Sequence, residues 1–377
     1  MEICKLSDIA KFTTGKLNSN AAEPGGYYPF FTCAPEPLRI STYAFDTQAV
    51  ILAGNNAEGD FHIQYFEGKF NAYQRTYVIE VIDKSSVDIR YLFYALRMCL
   101  QRFKQISQGT ATRFLTAKIL NAFVLPIPSY QEQKKIAAIL SALDEKIAIN
   151  RAINVNLEQQ AQTIFKYWFV DFEPFDGKLP STWRSEKLGD VCNCVLGGTP
   201  SRAKPEYWDG TISWINSGEV NKFRIIKPSE TITDLGLSKS ATKLLPAKTT
   251  VIAITGATLG QVSLLEIDAC ANQSVVGIIP NSNYPYEYIY PLIKENINQL
   301  TSHQTGGAQQ HINKQNVESL DILVPAMSDL GQYRSTVCGL YEMITNNCFE
   351  NERLETIRDS LLPRFMSGEI DVLKIDL

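Results

Sequence analysis

The chain has 377 residues, 45% hydrophobic and 20% charged, which is ordinary soluble-protein composition with room for two or three domains. Its net charge of −4 argues against a free-standing basic nucleic-acid module, and no run is long enough to span a membrane. Eight scattered cysteines, with only Cys192-x-Cys194 close-set, fit neither a zinc site nor a thioredoxin motif, so reduced cytoplasmic thiols are expected.

The opening segment, MEICKLSDIAKF, is broken by charges where a signal peptide would be apolar, and is expected to be structural. Residues 48–53 and 76–82 predict strands bounded by turn chemistry at Gly54-Asn55-Asn56 and Gly59-Asp60, and residues 89–103 have helical spacing. From 89 to 131 there is no acidic residue, yet Arg90, Arg97, Arg102, Lys104, Arg113 and Lys118 fall there. A solvated helix face accounts for this run as well as a nucleic-acid contact does.

After Pro128, Ser129 and Glu132 have capping-box spacing. Apolar residues then recur every seven positions at Ile136, Leu143, Leu157 and Ile164, with a companion row at Leu140, Ile147 and Ala161. Asn150 and Asn154 fill the gaps in the two rows, as in a coiled-coil seam with a polar centre, and Pro174 is the expected stop.

Residues 250–254 and 274–279 predict strands, and 286–300 a helix, in the order met before. A second pair of seven-residue rows follows, Tyr333, Leu340, Asn347, Leu354 and Leu361 beside Val337, Ile344 and Asn351. Arg358 breaks the second row and Pro363 marks the expected end. Two separate amphipathic core helices are the plainer reading; the matched asparagines favour mutual pairing.

This order is an internal repeat. Gly109 and Pro128 recur 197 positions later as Gly306 and Pro325, and the same offset pairs Leu143 with Leu340, Ile147 with Ile344, Asn150 with Asn347, Asn154 with Asn351 and Leu157 with Leu354. An offset of 182 relates Leu6-Ser7-Asp8 and Gly15 to Leu188-Gly189-Asp190 and Gly197. Two copies predict a pseudo-two-fold molecule suited to a target with two half-sites, of which duplex DNA is the commonest. Helices that leave each copy and pack together along their lengths are antiparallel. The expected fold is therefore α+β, with two globular units separated by two long antiparallel coiled-coil helices whose register sets a distance. The expected divisions are 1–130, 131–173 (first helix), 174–327, and 328–377 (second helix and tail).

Several stretches resemble the specificity subunit of Type I restriction–modification systems, and the resemblance covers essentially the whole chain. Residues 70–79 (FNAYQRTYVI) resemble a strand of the first target recognition domain in that family. Leu179-Pro180-Ser181-Thr182-Trp183, Lys187 to Val191 and Gly197-Gly198-Thr199-Pro200 resemble the entrance to a second. Pro126-Ile127-Pro128 with Glu132, Gln133 and Ile136 resembles the junction into a spacer helix, and Leu361 to Arg364 with Ser367 to Ile370 its end. The resemblance implies a non-catalytic subunit that binds bipartite double-stranded DNA and recruits two methyltransferase (M) subunits and restriction/translocase (R) subunits, in the cytoplasm and without membrane. The second copy departs by about fifteen extra residues between its opening and closing motifs, the difference of the two offsets.

No enzymatic machinery is evident. Gly256 to Gln261 lacks the lysine of a phosphate loop, and no G-x-G-x-x-G follows a strand. Asn283-Tyr284-Pro285-Tyr286 resembles an amino-methyltransferase tetrapeptide superficially, but lacks its second proline, and reads better as a turn before a helix. His62, His303 and His311 lack metal or triad spacing, so no metal, cofactor or catalytic residue is expected.

Readout of base edges uses Arg for guanine and Asn or Gln for adenine, while Lys, Arg and backbone amides hold phosphates. Copy one offers Lys16, Asn55, Asn56, Gln74, Arg75, Thr110, Thr112 and Arg113. Copy two offers Thr199, Ser201, Arg202, Lys204, Asn216, Ser217, Thr258, Asn272, Gln273, Gln309, Gln310 and Asn313. Each is equally a turn-forming polar residue. Tyr73, Tyr77, Trp208 and Trp214 read as core rather than as stacking platforms. The expected seam is Ile136, Leu140, Leu143, Ile147, Asn150, Asn154 and Leu157 against Val337, Leu340, Ile344, Asn347, Asn351 and Leu354. Two alternatives stay open at this point: a methyltransferase or nuclease with fused recognition domains, and a stand-alone bipartite DNA-binding regulator.

Overall fold

A computed structural model describes residues 2–109, 112–302 and 311–375. Thr110, Gln309 and Gln310, together with Gly306 of the repeat, lie outside these. The chain folds as two units, Met1–Ile147 with Leu354–Leu377, and Ala148–Arg353.

Copy one begins with β1 (Glu2–Lys5), the helical turn α1 (Leu6–Ile9), β2 (Ala10–Thr14), β3 (Tyr28–Phe31) and β4 (Leu38–Ile40). It continues through β5 (Phe45–Ala53), β6 (Asn55–Asn56), β7 (Ile63–Ala72), β8 (Thr76–Val81), α2 (Ile89–Met98), α3 (Leu100–Ile106), β9 (Arg113–Phe114), α4 (Ala117–Ala122) and β10 (Val124–Ile127). Six strands form a sheet in the order β2-β8-β5-β7-β3-β4, antiparallel except for the β3–β7 pair. β5 is central and buried on both faces. Val50 and Leu52 enter the larger core beneath α2, while Ala49 and Ile51 enter a smaller one with Phe31, Phe70 and Val78, as the two-residue period of a strand requires.

Between the copies lies α5 (Tyr130–Phe169). Copy two then runs through β11 (Arg184–Lys187), α6 (Leu188–Val191), β12 (Asn193–Leu196), β13 (Trp208–Ile215), β14 (Glu230–Ile232), α7 (Asp234–Ser238), β15 (Leu244–Leu245) and β16 (Thr250–Ala253). It closes with β17 (Val262–Leu264), β18 (Ala269–Ala271), β19 (Val275–Ile279), α8 (Tyr286–Ser302), α9 (Lys314–Glu318) and β20 (Asp321–Val324), followed by α10 (Met327–Met366). Its sheets are β12-β19-β16-β17 and β14-β13-β18-β15, the latter with a parallel β13–β18 pair. Where copy one has one ten-residue strand, β7, copy two has β17 and β18 in different sheets. Alternation on β16 is the same as on β5: Ile252 faces one core and Val251 and Ala253 another.

The repeat is visible bond by bond. Leu6 N donates to Phe123 O at 2.7 Å, and Leu188 N to Leu320 O at 2.9 Å, so both sequence offsets meet in one hydrogen bond. Tyr91 OH donates to Pro126 O at 3.0 Å, and its counterpart Tyr288 OH to Leu323 O at 2.5 Å. Thr116 caps α4 and Asn313 caps α9 by accepting from Ile119 N and Asn316 N. β1 pairs with β10 and β11 with β20, closing each copy onto its own start.

The Ser129–Glu132 capping box forms, with Ser129 N donating to Glu132 Oε2 at 2.9 Å and Glu132 N to Ser129 Oγ at 3.4 Å. Four local expectations need correction. The stretch 70–79 is two strands, β7 and β8, joined by a turn and separated in the sheet by β5. The helix over 89–103 is two, α2 and α3, which meet at Cys99 with its ψ flattened to 0°. α5 ends at Phe169, before Pro174, and Phe172, with φ of 54°, opens the turn that follows. Pro363 lies inside α10, which runs on to Met366; a proline forfeits one hydrogen bond but does not stop a helix that packing holds.

Both long helices, 40 residues each, serve the cores. In the first unit Ile136, Ala137 and Leu140 of α5 and Leu362, Phe365 and Met366 of α10 join the domain core. In the second, Ala161, Phe165 and Phe169 of α5 do so with Leu330, Tyr333, Val337 and Tyr341 of α10. The helices are antiparallel within each unit. In the second unit Asn150 Nδ2 donates to Asn351 Oδ1 at 3.0 Å, Asn347 Nδ2 donates to Asn154 Oδ1 at 2.9 Å, and Leu157 packs on Ile344 and Cys348. In the first, Arg358 Nη1 donates to Asp144 Oδ1 at 2.6 Å, so the residue that breaks the apolar row is a buried ion-pair partner. Of the expected seam, Leu143, Leu340, Asn347 and Leu354 are half-buried and the rest buried. No helix among the described residues is long and apolar enough to cross a membrane.

The asparagine pairs give a first prediction. Asn150→Leu leaves Asn351 Oδ1 without its buried donor and should cost about 1–3 kcal/mol, while adding Asn351→Leu should recover part of it, because no orphaned polar atom remains in that pair. Urea denaturation of the single and double variants checks this; equal losses would show that the amides do not act as a pair.

Candidate nucleic-acid interface

In copy one the chain brings four loops to one end of the six-stranded sheet. Gly15 follows β2 so closely against β7 that an added Cβ would stand 1.7 Å from Ala72 O. Gln74 N donates to Leu17 O at 2.9 Å, Gly54 N to Arg75 O at 2.8 Å, and Leu115 N to Gly54 O at 2.9 Å. β6 pairs with β9, setting Asn55 against Phe114 and Asn56 against Arg113. Lys16, Asn55, Asn56, Gln74, Arg75 and Arg113 therefore share one region, with Thr112 beside Arg113.

Copy two builds the same junction. Gly197 would place a Cβ 2.1 Å from Asn272 O. Gly198 N donates to Ala271 O at 2.8 Å, Ile254 N to Ser274 O at 2.9 Å, and Ile312 N to Ile254 O at 3.0 Å. Thr255 bridges to His311 as Asn55 does to Phe114. Thr199, Ser201, Arg202, Asn216, Thr258, Asn272 and Gln273 lie in or beside these loops. Thr199 Oγ1 donates to Gln273 Oε1 at 2.5 Å, where in copy one Gln74 Nε2 donates to Asn18 Oδ1 at 2.8 Å.

The side chains are not equally available. Asn56 Oδ1 accepts from Glu58 N at 2.8 Å, Asn216 Oδ1 from Gly218 N at 2.8 Å, Asn272 Oδ1 from Ser274 N at 3.1 Å and Asn313 Oδ1 from Asn316 N at 2.9 Å. Their oxygens serve turns and caps, which leaves the Nδ2 donors for a ligand; bidentate adenine readout uses both. Asn55 Oδ1 accepts from Cys33 Sγ at 2.7 Å. Ser217 opens the 3-10 turn that Asn216 caps, Thr258 Oγ1 donates to Thr255 O, and Lys204 Nζ to Tyr207 OH.

The arginines differ too. Arg75 lies over the Phe114 ring at 5.4 Å, and Arg113 Nη1 donates to Ser107 O at 3.3 Å. Arg202 is bidentate with Glu230, at 2.5 and 2.7 Å, and stacks on Trp208. Those bonds hold the Glu230 carboxyl below its ordinary value, against the opposing effect of burial. Glu230, Cys33 and Asn18 escaped sequence reading because nothing local marks them; each matters through a partner far along the chain. Trp214 is buried, while Trp208 is half-buried and carries Arg202 on its face.

Much of the basic run 89–131 is already partnered at the surface of its own unit. Arg97 lies 3.7 Å from both Asp144 and Asp359, Arg90 binds Glu145 at 3.0 Å, Lys104 binds Asp60 at 2.7 Å and Arg102 covers the Phe123 ring. No group of three or more His, Cys, Asp or Glu among the described residues could hold a metal.

The family described as "Type I restriction modification DNA specificity domain" matches residues 1–159 and 180–334. The specificity subunit of the Type I restriction enzyme HindI of Haemophilus influenzae is 26% identical over 342 residues, covering 71% of this chain and 74% of its own. That of MjaIX from Methanocaldococcus jannaschii is 28% identical over 309 residues, covering 78% and 71%. The EcoDI specificity subunit of Escherichia coli reaches 38% over 184 residues, which is 48% of this chain and 39% of that one. A crystal structure of a Type-I restriction-modification system S subunit from M. genitalium shares the fold, with TM-score 0.65 at 16% identity over 97% of this chain and 95% of that chain.

Proposed function

The chain belongs to the family of Type I restriction–modification DNA specificity domains, and from that premise we propose that each copy reads one half of a bipartite duplex target on behalf of two methyltransferase subunits and the restriction subunits that join them. It is a DNA sequence-specificity subunit and not a catalytic one. The proposed setting is the cytoplasm, where its DNA would be.

One observation carries the bipartite reading: a like four-loop junction is built twice, with two equivalent backbone bonds and an equivalent close-packed glycine, but carries different side chains. Arg75, Gln74 and Arg113 surround one junction; Arg202, Gln273 and Thr199 surround the other. A scaffold kept constant beneath divergent donors suits two different half-sites. A net charge of −4 leaves little general attraction for phosphates, so the chain alone is expected to bind DNA weakly and with strong salt dependence, and its partners to tighten binding.

The test is sequencing of methylated sites in a host that expresses the chain with its modification subunits. Arg75→Ala with Arg113→Ala should relax one half of the motif, and Gln273→Ala the other, each lost bidentate contact costing about 1–3 kcal/mol per base pair. A copy-one variant that alters both halves equally would show that these residues act on folding or on phosphates.

A further inference from the structure

Arg202 is held in a way that no other arginine of the two junctions is. The loop that carries it is pinned twice by indoles: Trp214 Nε1 donates to Gly198 O at 3.1 Å and Trp208 Nε1 to Ser201 O at 3.2 Å. The two rings meet edge to face, centroids 5.1 Å apart at 83°. The guanidinium lies over Trp208, its Cζ 3.6 Å from the ring centroid and 5.2 Å from that of Trp214. Glu230 takes Nη1 and Nη2 in a fork, at 2.5 and 2.7 Å. The Arg202 side chain is nevertheless 55% exposed.

We propose that Arg202 reads a guanine in the half-site of copy two through its Nε–Nη edge, with Glu230 and Trp208 as the positioning residues that aim it. The proposal rests on the reading that copy two faces DNA. An exposed ion pair adds little to folding stability, so the clamp is a poor brace for the fold. It is an effective way to remove rotamer freedom before a ligand arrives. A guanidinium has five N–H donors, and the fork to Glu230 uses two. The Nε–H and the second N–H of the neighbouring Nη remain, parallel and in one plane, spaced for guanine O6 and N7. The charge balance also favours a base over a phosphate, because Glu230 cancels the arginine's attraction for an anion. Arg75 has an aromatic neighbour and no carboxylate fork, and Arg113 is turned to a backbone carbonyl.

The chain is co-expressed with its modification subunits, and the methylated motif is determined for wild type, Arg202→Ala, Glu230→Gln, Glu230→Asp and Trp208→Leu. Arg202→Ala should lose discrimination at a single G·C pair of one half-site, by roughly 5- to 150-fold, with every other position unchanged. Glu230→Gln and Trp208→Leu should weaken discrimination at that same pair by less, and Glu230→Asp should restore part of it. For the wild-type complex, a duplex with 7-deazaguanine at that position should bind more weakly than the normal one. A uniform loss across all sequences, with the salt dependence of binding reduced by about one phosphate, would make Arg202 a backbone contact and overturn the proposal. A divided motif that Arg202→Ala leaves unchanged would overturn it while sparing the bipartite reading. An undivided wild-type motif would overturn both.

Discussion

Arg224→Met should destabilise the protein by about 3–5 kcal/mol, the usual cost of removing one partner from a buried charge cluster. Arg224 is 4% exposed. Its Nη2 donates to Glu158 Oε2 at 2.7 Å, and its Nη1 to Tyr290 OH at 3.0 Å and Phe223 O at 2.8 Å. Its Nε faces Glu266 Oε1 at 3.6 Å, and neither atom has a hydrogen-bond partner among the described residues. Lys294 completes the shell of Glu158 at 2.9 Å, and Lys248 binds Glu266 and donates to Thr345 of α10 at 2.8 Å. The cluster thus ties α5, α10 and the sheets of the second unit together. Arg224 itself lies in the stretch where the offset between copies grows from 182 at Gly197 to 200 at Ile254.

The loss should depend on pH. Burial alone would raise the Glu158 pKa, but the charges of Arg224 and Lys294 outweigh it and hold the carboxyl below its ordinary value. A depressed folded-state value contributes stability above the unfolded value, roughly pH 4.3, and that contribution fades as pH falls through the folded one. Denaturation of wild type and Arg224→Met at neutral pH and in acid should therefore show a gap that narrows in acid. A gap of constant size would assign the effect to packing.

Gly15→Ala and Gly197→Ala should each abolish directed methylation, through opposite halves of the molecule. The new Cβ would stand 1.7 Å from Ala72 O in the first case and 2.1 Å from Asn272 O in the second. The obstacle is backbone where the loops meet, so no rotamer change relieves it, and the strand just before the glycine, β2 or β12, must shift. Overpacking of this kind costs about 1–3 kcal/mol where a core can yield, and more where it cannot. Hydrogen exchange should show β2 and β8 losing protection in Gly15→Ala while β12 and β19 keep it, and the reverse in Gly197→Ala. Gly331 and Gly339 of α10 are matched controls: an added Cβ meets nothing within 4 Å, and alanine there should stabilise by about 0.5–1 kcal/mol. Loss of protection in both units from one glycine would show that the units do not fold independently.

The repeat and the seam were legible in the sequence because both rest on local periodicity. Offsets of 197 and 182 reappear as equivalent hydrogen bonds, from Leu6 to Phe123 and from Leu188 to Leu320. The seven-residue rows placed Asn150 and Asn154 opposite Asn351 and Asn347, since a helix presents every seventh residue to the same side whatever surrounds it. The glycines before the recognition loops were marked by recurrence alone; their reason, a carbonyl within 2.1 Å or less of the missing Cβ, is tertiary.

What the candidate side chains can do was decided only by the fold. Asn56, Asn216, Asn272 and Asn313 have the right chemistry for adenine, but their oxygens are taken by backbone N–H groups of turns and caps. Arg202 and Glu230 are 28 residues apart, and Arg224 and Glu158 are 66 apart. No periodicity links such pairs. They meet because β14 lies beside β13 and because α5 packs under the second unit's sheets, and a long side chain's chemistry depends on which partner the topology brings within hydrogen-bonding distance.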